Sequence, residues 1–176
     1  TIKKESRARF PIPSTGEITA LLIDKGGKNL FVGTTSGQIL RATLGALDAK
    51  EIPIETLGAT SRPGIGVSIL GFLVGSQTLV VGDEAGEVNS YHLTQGEDER
   101  YRIKKIHGFT RHPKPVIAFY SSTRDKGFIT GDSEGTIRYH YATTGETEYS
   151  VLSAVKGWLV GIVMAIPIVL SGRSDI

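Results

Sequence analysis

Cysteine is absent from all 176 residues. That absence removes disulfides, thiolate zinc sites and cysteine nucleophiles together. It leaves the compartment open, because a cysteine-free domain is at home on either side of a membrane. Long hydrophobic runs are missing too. The longest, Trp158 to Leu170, has thirteen residues and contains Gly161 and Pro167, against the roughly 20 apolar residues that span a bilayer. Buried strands are expected there instead, with Trp158 as a buried aromatic. Charge of one sign is also scarce. The net charge is +2, and the basic runs are as short as Lys3-Lys4 and Lys104-Lys105, so the electrostatic footprint of a nucleic-acid binder is lacking. No stretch has a convincing helical period. Residues 42–50 come nearest, and Gly45 weakens them.

What is present is globular in composition, with 39% apolar and 22% charged residues, and it repeats. Residues 18–44, 67–93 and 116–142 align without a gap, each starting 49 residues after the last. The glycine pairs Gly33/Gly37, Gly82/Gly86 and Gly131/Gly135 keep the same step. Each unit opens on an apolar run, turns through polar residues, and enters a second apolar run ending in the first glycine. A tight turn follows, closed by the second glycine, and then an alternating run. A more variable polar stretch with its own alternation separates the units, such as "YRIKKIHGF" at 101–109.

Short strands with turn signals every 8–12 residues argue an all-β chain. Four strands per unit of 40–50 residues is the pattern of a β-propeller blade. The expected fold is therefore an all-β propeller segment, with about three four-stranded blades at 18–57, 67–109 and 116–152 and partial blades at both ends. Residues 1–13 are expected to be the outer strand of a preceding blade, and 158–176 the start of a further one. Three blades leave apolar faces and strand edges open. Since the chain also opens on Thr1, it is expected to be part of a longer or processed protein, or to pair with another copy through those faces.

The pattern resembles the WD-repeat and quinoprotein-like propeller superfamily over nearly the whole chain. It departs from the standard WD repeat at the end of the third strand, where Ala42-Thr43, Tyr91-His92 and His140-Tyr141 stand in place of Trp-Asp. The Gly-His pair that opens such repeats is missing, although His112-Pro113 sits near its place. Three segments, 16–41 "GEITALLIDKGGKNLFVGTTSGQILR", 106–116 "IHGFTRHPKPV" and 123–147 "TRDKGFITGDSEGTIRYHYATTGET", resemble the large extracytoplasmic insert of some proteobacterial phosphate-type ABC-transporter permeases. That resemblance implies a non-enzymatic accessory domain on the periplasmic face of the bacterial inner membrane. It implies other transporter subunits or a substrate-binding protein as partners, and the membrane is reached only through flanking helices that the sequence does not contain. It carries over no catalytic residue and no cofactor. The alternatives are a soluble WD-repeat-like interaction scaffold and, behind it, a hydrolase or a quinoprotein-like enzyme.

Candidate chemistry is thin. Gly131-Asp132-Ser133-Glu134-Gly135 fits the G-x-S-x-G pattern of a nucleophile elbow, but such an elbow needs a helix after the serine, and here a strand is expected. In the sister units Thr35 and Glu84 occupy the place of Ser133. The glycines recur because the turn needs positive φ or close backbone approach, and Asp and Ser recur because they bond nearby backbone. Asp83, Glu84, Asp132 and Glu134 are expected at solvated turn tips rather than at a calcium site, which wants six to eight converging oxygens. Histidines 92, 107, 112 and 140 have no metal-ligand spacing, so no metal is expected. The loop "HGFTRHPKPV" is the most distinctive. Arg111, His112 and Lys114 are its candidate ligand- or partner-binding residues, and Pro113 and Pro115 stiffen it.

Overall fold

Each 49-residue unit folds into one four-stranded antiparallel sheet. The computed structural model describes residues 12, 16–44 and 52–151. The first blade contains β1 (Ile18–Ile23), β2 (Asn29–Thr34), β3 (Gln38–Thr43) and β4 (Ile54–Ala59), paired in that order. The second contains β5 (Val67–Phe72), β6 (Thr78–Asp83), β7 (Val88–Gln95) and β8 (Tyr101–Gly108). The third contains β9 (Val116–Ser121), β10 (Gly127–Asp132), β11 (Ile137–Tyr141) and β12 (Glu146–Val151). The outer strand of the first blade runs to Ala59, two residues past the expected end. The expected partial blades at 1–13 and 158–176, including Trp158, lie outside the described residues. Among the described residues there is no α-helix, and so none long and apolar enough to cross a membrane.

The second strand of each blade is apolar because it is covered on both sides. β6 is buried from Leu79 to Asp83, and β10 along its whole length. The outer strand β8 is mostly exposed or half-buried and alternates accordingly. One apolar cluster fastens the first blade to the second, through Ala20, Phe31 and Ile39 against Val67, Leu70, Leu79 and Val81. A second fastens the second to the third, through Leu73, Val80, Val88 and Phe109 against Val116 and Phe128.

The two recurrent glycines do different jobs. Gly37, Gly86 and Gly135 have φ of 84°, 84° and 88°, a region that side chains disfavour. Gly33 and Gly82 are strand residues that admit the next blade. A Cβ on Gly33 would strike the Val67 side chain, and one on Gly82 would lie 2.6 Å from Ile69 Cγ1 and 3.0 Å from Val116 Cβ. The seat is therefore a missing side chain filled by a valine from the following blade.

A bulge recurs with the same step, between Ile18 and Ala20, between Val67 and Ile69, and between Ala118 and Val116. It shifts the side-chain alternation of the innermost strand. Val67 and Leu70, three residues apart, thus point to the preceding blade, while Ile69 packs with the following one.

Candidate functional site

The tight turns and the inter-blade connections meet on one side of the sheets. The backbone N–H of Thr35, Glu84 and Ser133 donates to the carbonyl of Glu17, Gly66 and Pro115 at 2.9, 3.0 and 3.1 Å. Donors and acceptors alike are 49 residues apart. The first residue after each leading glycine organises the turn. Asp83 Oδ1 accepts from the N–H groups of Ala85 (2.9 Å) and Glu87 (2.8 Å). Asp132 Oδ1 accepts from Glu134 (3.0 Å) and Thr136 (2.8 Å). Thr34 Oγ1 accepts from the N–H of Gln38 at 3.1 Å. Burial pushes the Asp83 carboxyl above its ordinary pKa, against the opposing effect of those N–H donors.

The third blade adds a buried polar chain. His112 Nδ1 faces Asp132 Oδ2 at 3.5 Å, and His112 Nε2 lies 2.7 Å from Thr130 Oγ1. Thr130 Oγ1 is also 2.7 Å from His140 Nε2. His140 Nδ1 is 2.9 Å from Thr147 Oγ1, which accepts the N–H of Thr110 at 3.2 Å. His112, Thr130, Asp132 and His140 are all 0–1% exposed.

One proton arrangement suits the three side-chain hydrogen bonds and the longer 3.5 Å contact of His112 Nδ1 with Asp132 Oδ2. A carboxylate only accepts, so His112 carries its proton on Nδ1 and accepts the Thr130 hydroxyl at Nε2. Thr130 then accepts from His140 Nε2–H, and His140 Nδ1 accepts the Thr147 hydroxyl. Both rings are neutral in this arrangement. Burial lowers the His112 pKa, with Arg138 adding to the effect and Asp132 opposing it. Burial also lowers His140, to about 3, helped by His112 and Arg138.

Thr130, His112 and Asp132 are a hydroxyl, an imidazole and a carboxylate in the order of a hydrolytic relay. The hydroxyl is closed to substrate, however, and is held by a second imidazole. The chain of contacts ties the loop 109–115 to β10, β11 and β12. Thr130→Val keeps the shape and removes the hydroxyl, leaving two imidazole nitrogens without partners. It is expected to cost about 2–4 kcal/mol in urea denaturation. The second blade carries Val81 at the matching position, with Pro63 and Tyr91 in place of the two histidines, so the sheet itself tolerates valine, and a near-zero loss would mean that the chain of bonds contributes nothing.

The three loop residues expected to bind part company. Arg111 is exposed, and its Nε donates to the Ala85 carbonyl at 2.7 Å, clamping the loop onto the turn of the second blade. Lys114 is exposed and pairs with Glu134 at 3.1 Å. His112 lies inside. Ser133 and Glu134 are exposed at the turn tip, and both rings of the nearby histidine pair are directed to other partners. Ser133→Ala is accordingly expected to change stability by no more than about 0.5 kcal/mol, and a serine-directed fluorophosphonate is expected to leave wild type unlabelled. Labelling that disappears in Ser133→Ala would restore the nucleophile.

His92 is exposed on β7 and His107 half-buried on β8. Among the described residues no cluster of three His, Asp or Glu could hold a metal ion. The meeting of His112 and His140 is not apparent from sequence spacing. Its one available signal is Asp132, which repeats Asp83 at the 49-residue step.

On the other side, two clefts of about 290 and 390 Å³ flank Tyr101 between the first and second blades. Arg41 lies 3.7 Å over the Tyr101 ring, pairs with Glu55, and donates to Asn29 Oδ1 at 2.6 Å. Its charge is already matched by Glu55.

Comparison with known proteins finds no matching family model and no matching curated protein. Among solved structures, the WD40 repeats of RRP9 superpose with a TM-score of 0.62 at 10% identity, over 82% of this chain and 41% of that one. The computationally designed Ika8 protein gives 0.62 at 18% identity, over 84% and 40%. U3-55K gives 0.60 at 10% identity, over 82% and 42%. The chain folds as a segment of a WD-repeat-like β-propeller. It spans about two-fifths of the length of the solved propellers it matches. None of these similarities extends to a transporter permease.

Proposed function

We propose that this propeller segment is a non-enzymatic protein-interaction scaffold that engages partners through its turn-and-loop side. The observation that carries the reading is the division of labour at that side. The polar groups able to do chemistry, His112, Thr130, Asp132 and His140, are sealed inside, whereas Glu84, Arg111, Lys114, Ser133 and Glu134 are exposed on turns held by repeated backbone bonds. Rigidly supported loops of mixed charge suit recognition of a protein surface. Similarity to WD40 structures is a further support for this reading. A setting beside a phosphate-type permease, on the periplasmic side of a membrane, rests on the sequence resemblance alone.

The test is site-specific photocrosslinking in the native host. Crosslinkers at Ser133 and Glu84 should capture one common protein, and a crosslinker at Lys104 on the outer strand β8 should not. The joint change Arg111→Glu and Lys114→Glu should abolish that capture. Equal capture from all three positions, or from none, would overturn the proposal.

A further inference from the structure

The connection from the second blade to the third differs from its predecessor in what holds it down. Residues 60–66 and 109–115 occupy the same place one 49-residue step apart. In the earlier connection Thr60 Oγ1 donates to the Ile65 carbonyl at 2.9 Å, and Asn89 Nδ2 donates to Ser61 Oγ at 3.3 Å. Pro63, Val81 and Tyr91 stand where the later one has His112, Thr130 and His140, and no histidine precedes His92. The later connection is pinned at Phe109, edge-on to Phe128 and His140, and at Pro115, whose carbonyl accepts the Ser133 N–H. Between the pins Pro113 has no N–H to give. The segment 110–114 is held by the Thr110 N–H on Thr147, the Arg111 clamp, the His112 N–H on the Gly86 carbonyl at 2.8 Å, and the buried His112 ring.

The chain of bonds around that ring absorbs one extra proton but not two. With one, it reverses direction. His112 donates from both nitrogens, to Asp132 and Thr130; Thr130 donates to His140 Nε2; and His140 Nδ1–H donates to Thr147. With two, both Nε2–H groups point at Thr130 Oγ1, and the threonine proton loses its acceptor. Two cations with ring centroids 6.4 Å apart then share the site with the charge of Arg138, against the Asp132 carboxylate. The other carboxylates on the surrounding elements are engaged or wet. Asp83 closes its own turn, Glu87 pairs with Arg62, and Glu84, Glu134, Glu146 and Glu148 are exposed. His107 on β8 reaches the Phe109 ring, with centroids 6.3 Å apart.

We infer that residues 110–114 form a proton-operated latch. In mild acid, proton uptake by His112 and His140 expels the His112 ring. The segment carrying Arg111 and Lys114 then leaves the turn of the second blade, hinged at Phe109 and Pro115, while the three sheets stay paired. Opening lets both rings titrate at the ordinary histidine value near 6.5. His140 alone then displaces the equilibrium about tenfold per pH unit below that value. Loss of partner binding would follow, and that consequence rests on the interaction reading above, whereas the opening itself does not.

Amide protection factors, which remove the pH dependence of the exchange chemistry, test the latch at pH 7, 6 and 5. Thr110 and His112 should lose protection about tenfold or more between pH 6 and 5, and should stay below the amides of β10 throughout. The Thr60 amide, bonded to the Gly37 carbonyl at 2.9 Å in the sister connection, should keep its protection. His112→Gln combined with His140→Tyr should remove the pH dependence at Thr110, whatever protection remains at pH 7. If that variant does not fold, the wild-type contrast between the two connections decides. Capture through the Ser133 crosslinker, in host lysate adjusted to pH 7 and 5, should fall over the same range. Amides that open while capture persists would sink the partner surface and leave the latch standing. Protection at Thr110 and His112 that is flat from pH 7 to 5, or equal to that of β10 at every pH, would overturn the latch, because the loop would then move only with the whole blade.

Discussion

Gly86→Ala is expected to destabilise the chain by about 3 kcal/mol or more, while Gly27→Ala costs only about 1 kcal/mol. Both glycines have positive φ, 84° and 65°, so both substitutions carry the backbone strain of about 1–2 kcal/mol. They differ in their surroundings. A Cβ at Gly27 meets nothing within 4 Å, whereas one at Gly86 strikes the His112 carbonyl oxygen and lies 2.7 Å from that of Lys114. Those are backbone atoms of the loop between the second and third blades and cannot swing aside as a side-chain tip would. The Gly86 carbonyl also accepts the His112 N–H at 2.8 Å, so moving the turn breaks the bond that seats the loop. The difference between the two variants in urea denaturation measures the steric part. Equal losses would show that the loop makes room without cost.

Acid should unfold the third blade through its histidines. The sign follows from the lowered pKa values. A histidine titrates near 6.5 in the unfolded chain, whereas burial holds His112 below that and His140 at about 3. The unfolded state therefore binds protons that the folded state refuses. The contribution is fully present above about pH 6.5 and is lost as pH falls towards 3. For His140 alone the linkage is on the order of 3 kcal/mol at pH 4. Protonation would also place a second proton on nitrogens that accept from Thr147 and Thr130, breaking the directional chain. Urea midpoints at pH 7, 5 and 4 should fall steadily in wild type, and His140→Phe should flatten the slope whatever its cost at pH 7. A wild-type stability unchanged between pH 7 and 5 would refute this account.

The blade count and the turn positions were legible because both come from local chemistry repeated three times. A glycine at positive φ and an aspartate that accepts two N–H groups of its own turn are local requirements, so they recur in the sequence at the 49-residue step. Ser133 lost its catalytic appearance for the same reason, since a nucleophile would not be replaced by Thr35 and Glu84 in sister turns. Asp132, its neighbour, proved the more consequential residue of the motif. It closes the turn with one oxygen and faces His112 with the other.

His112 shows where sequence reasoning stopped. In a proline-flanked polar loop it reads as a surface residue beside Arg111 and Lys114. The structure turns it inward, because His140 and Thr130 on two strands supply its partners. Those residues are 10 to 28 positions apart along the chain, and no repeat copies them.

The sequence by itself determined that this protein is all-β and built of 49-residue blades with glycine-closed turns, because strand alternation and turn conformation are properties of neighbouring residues. Only the tertiary structure decided which glycine bends the chain and which makes room for the next blade, and which loop residue is buried. Each of those depends on what another blade brings into contact, which chain-local chemistry does not encode.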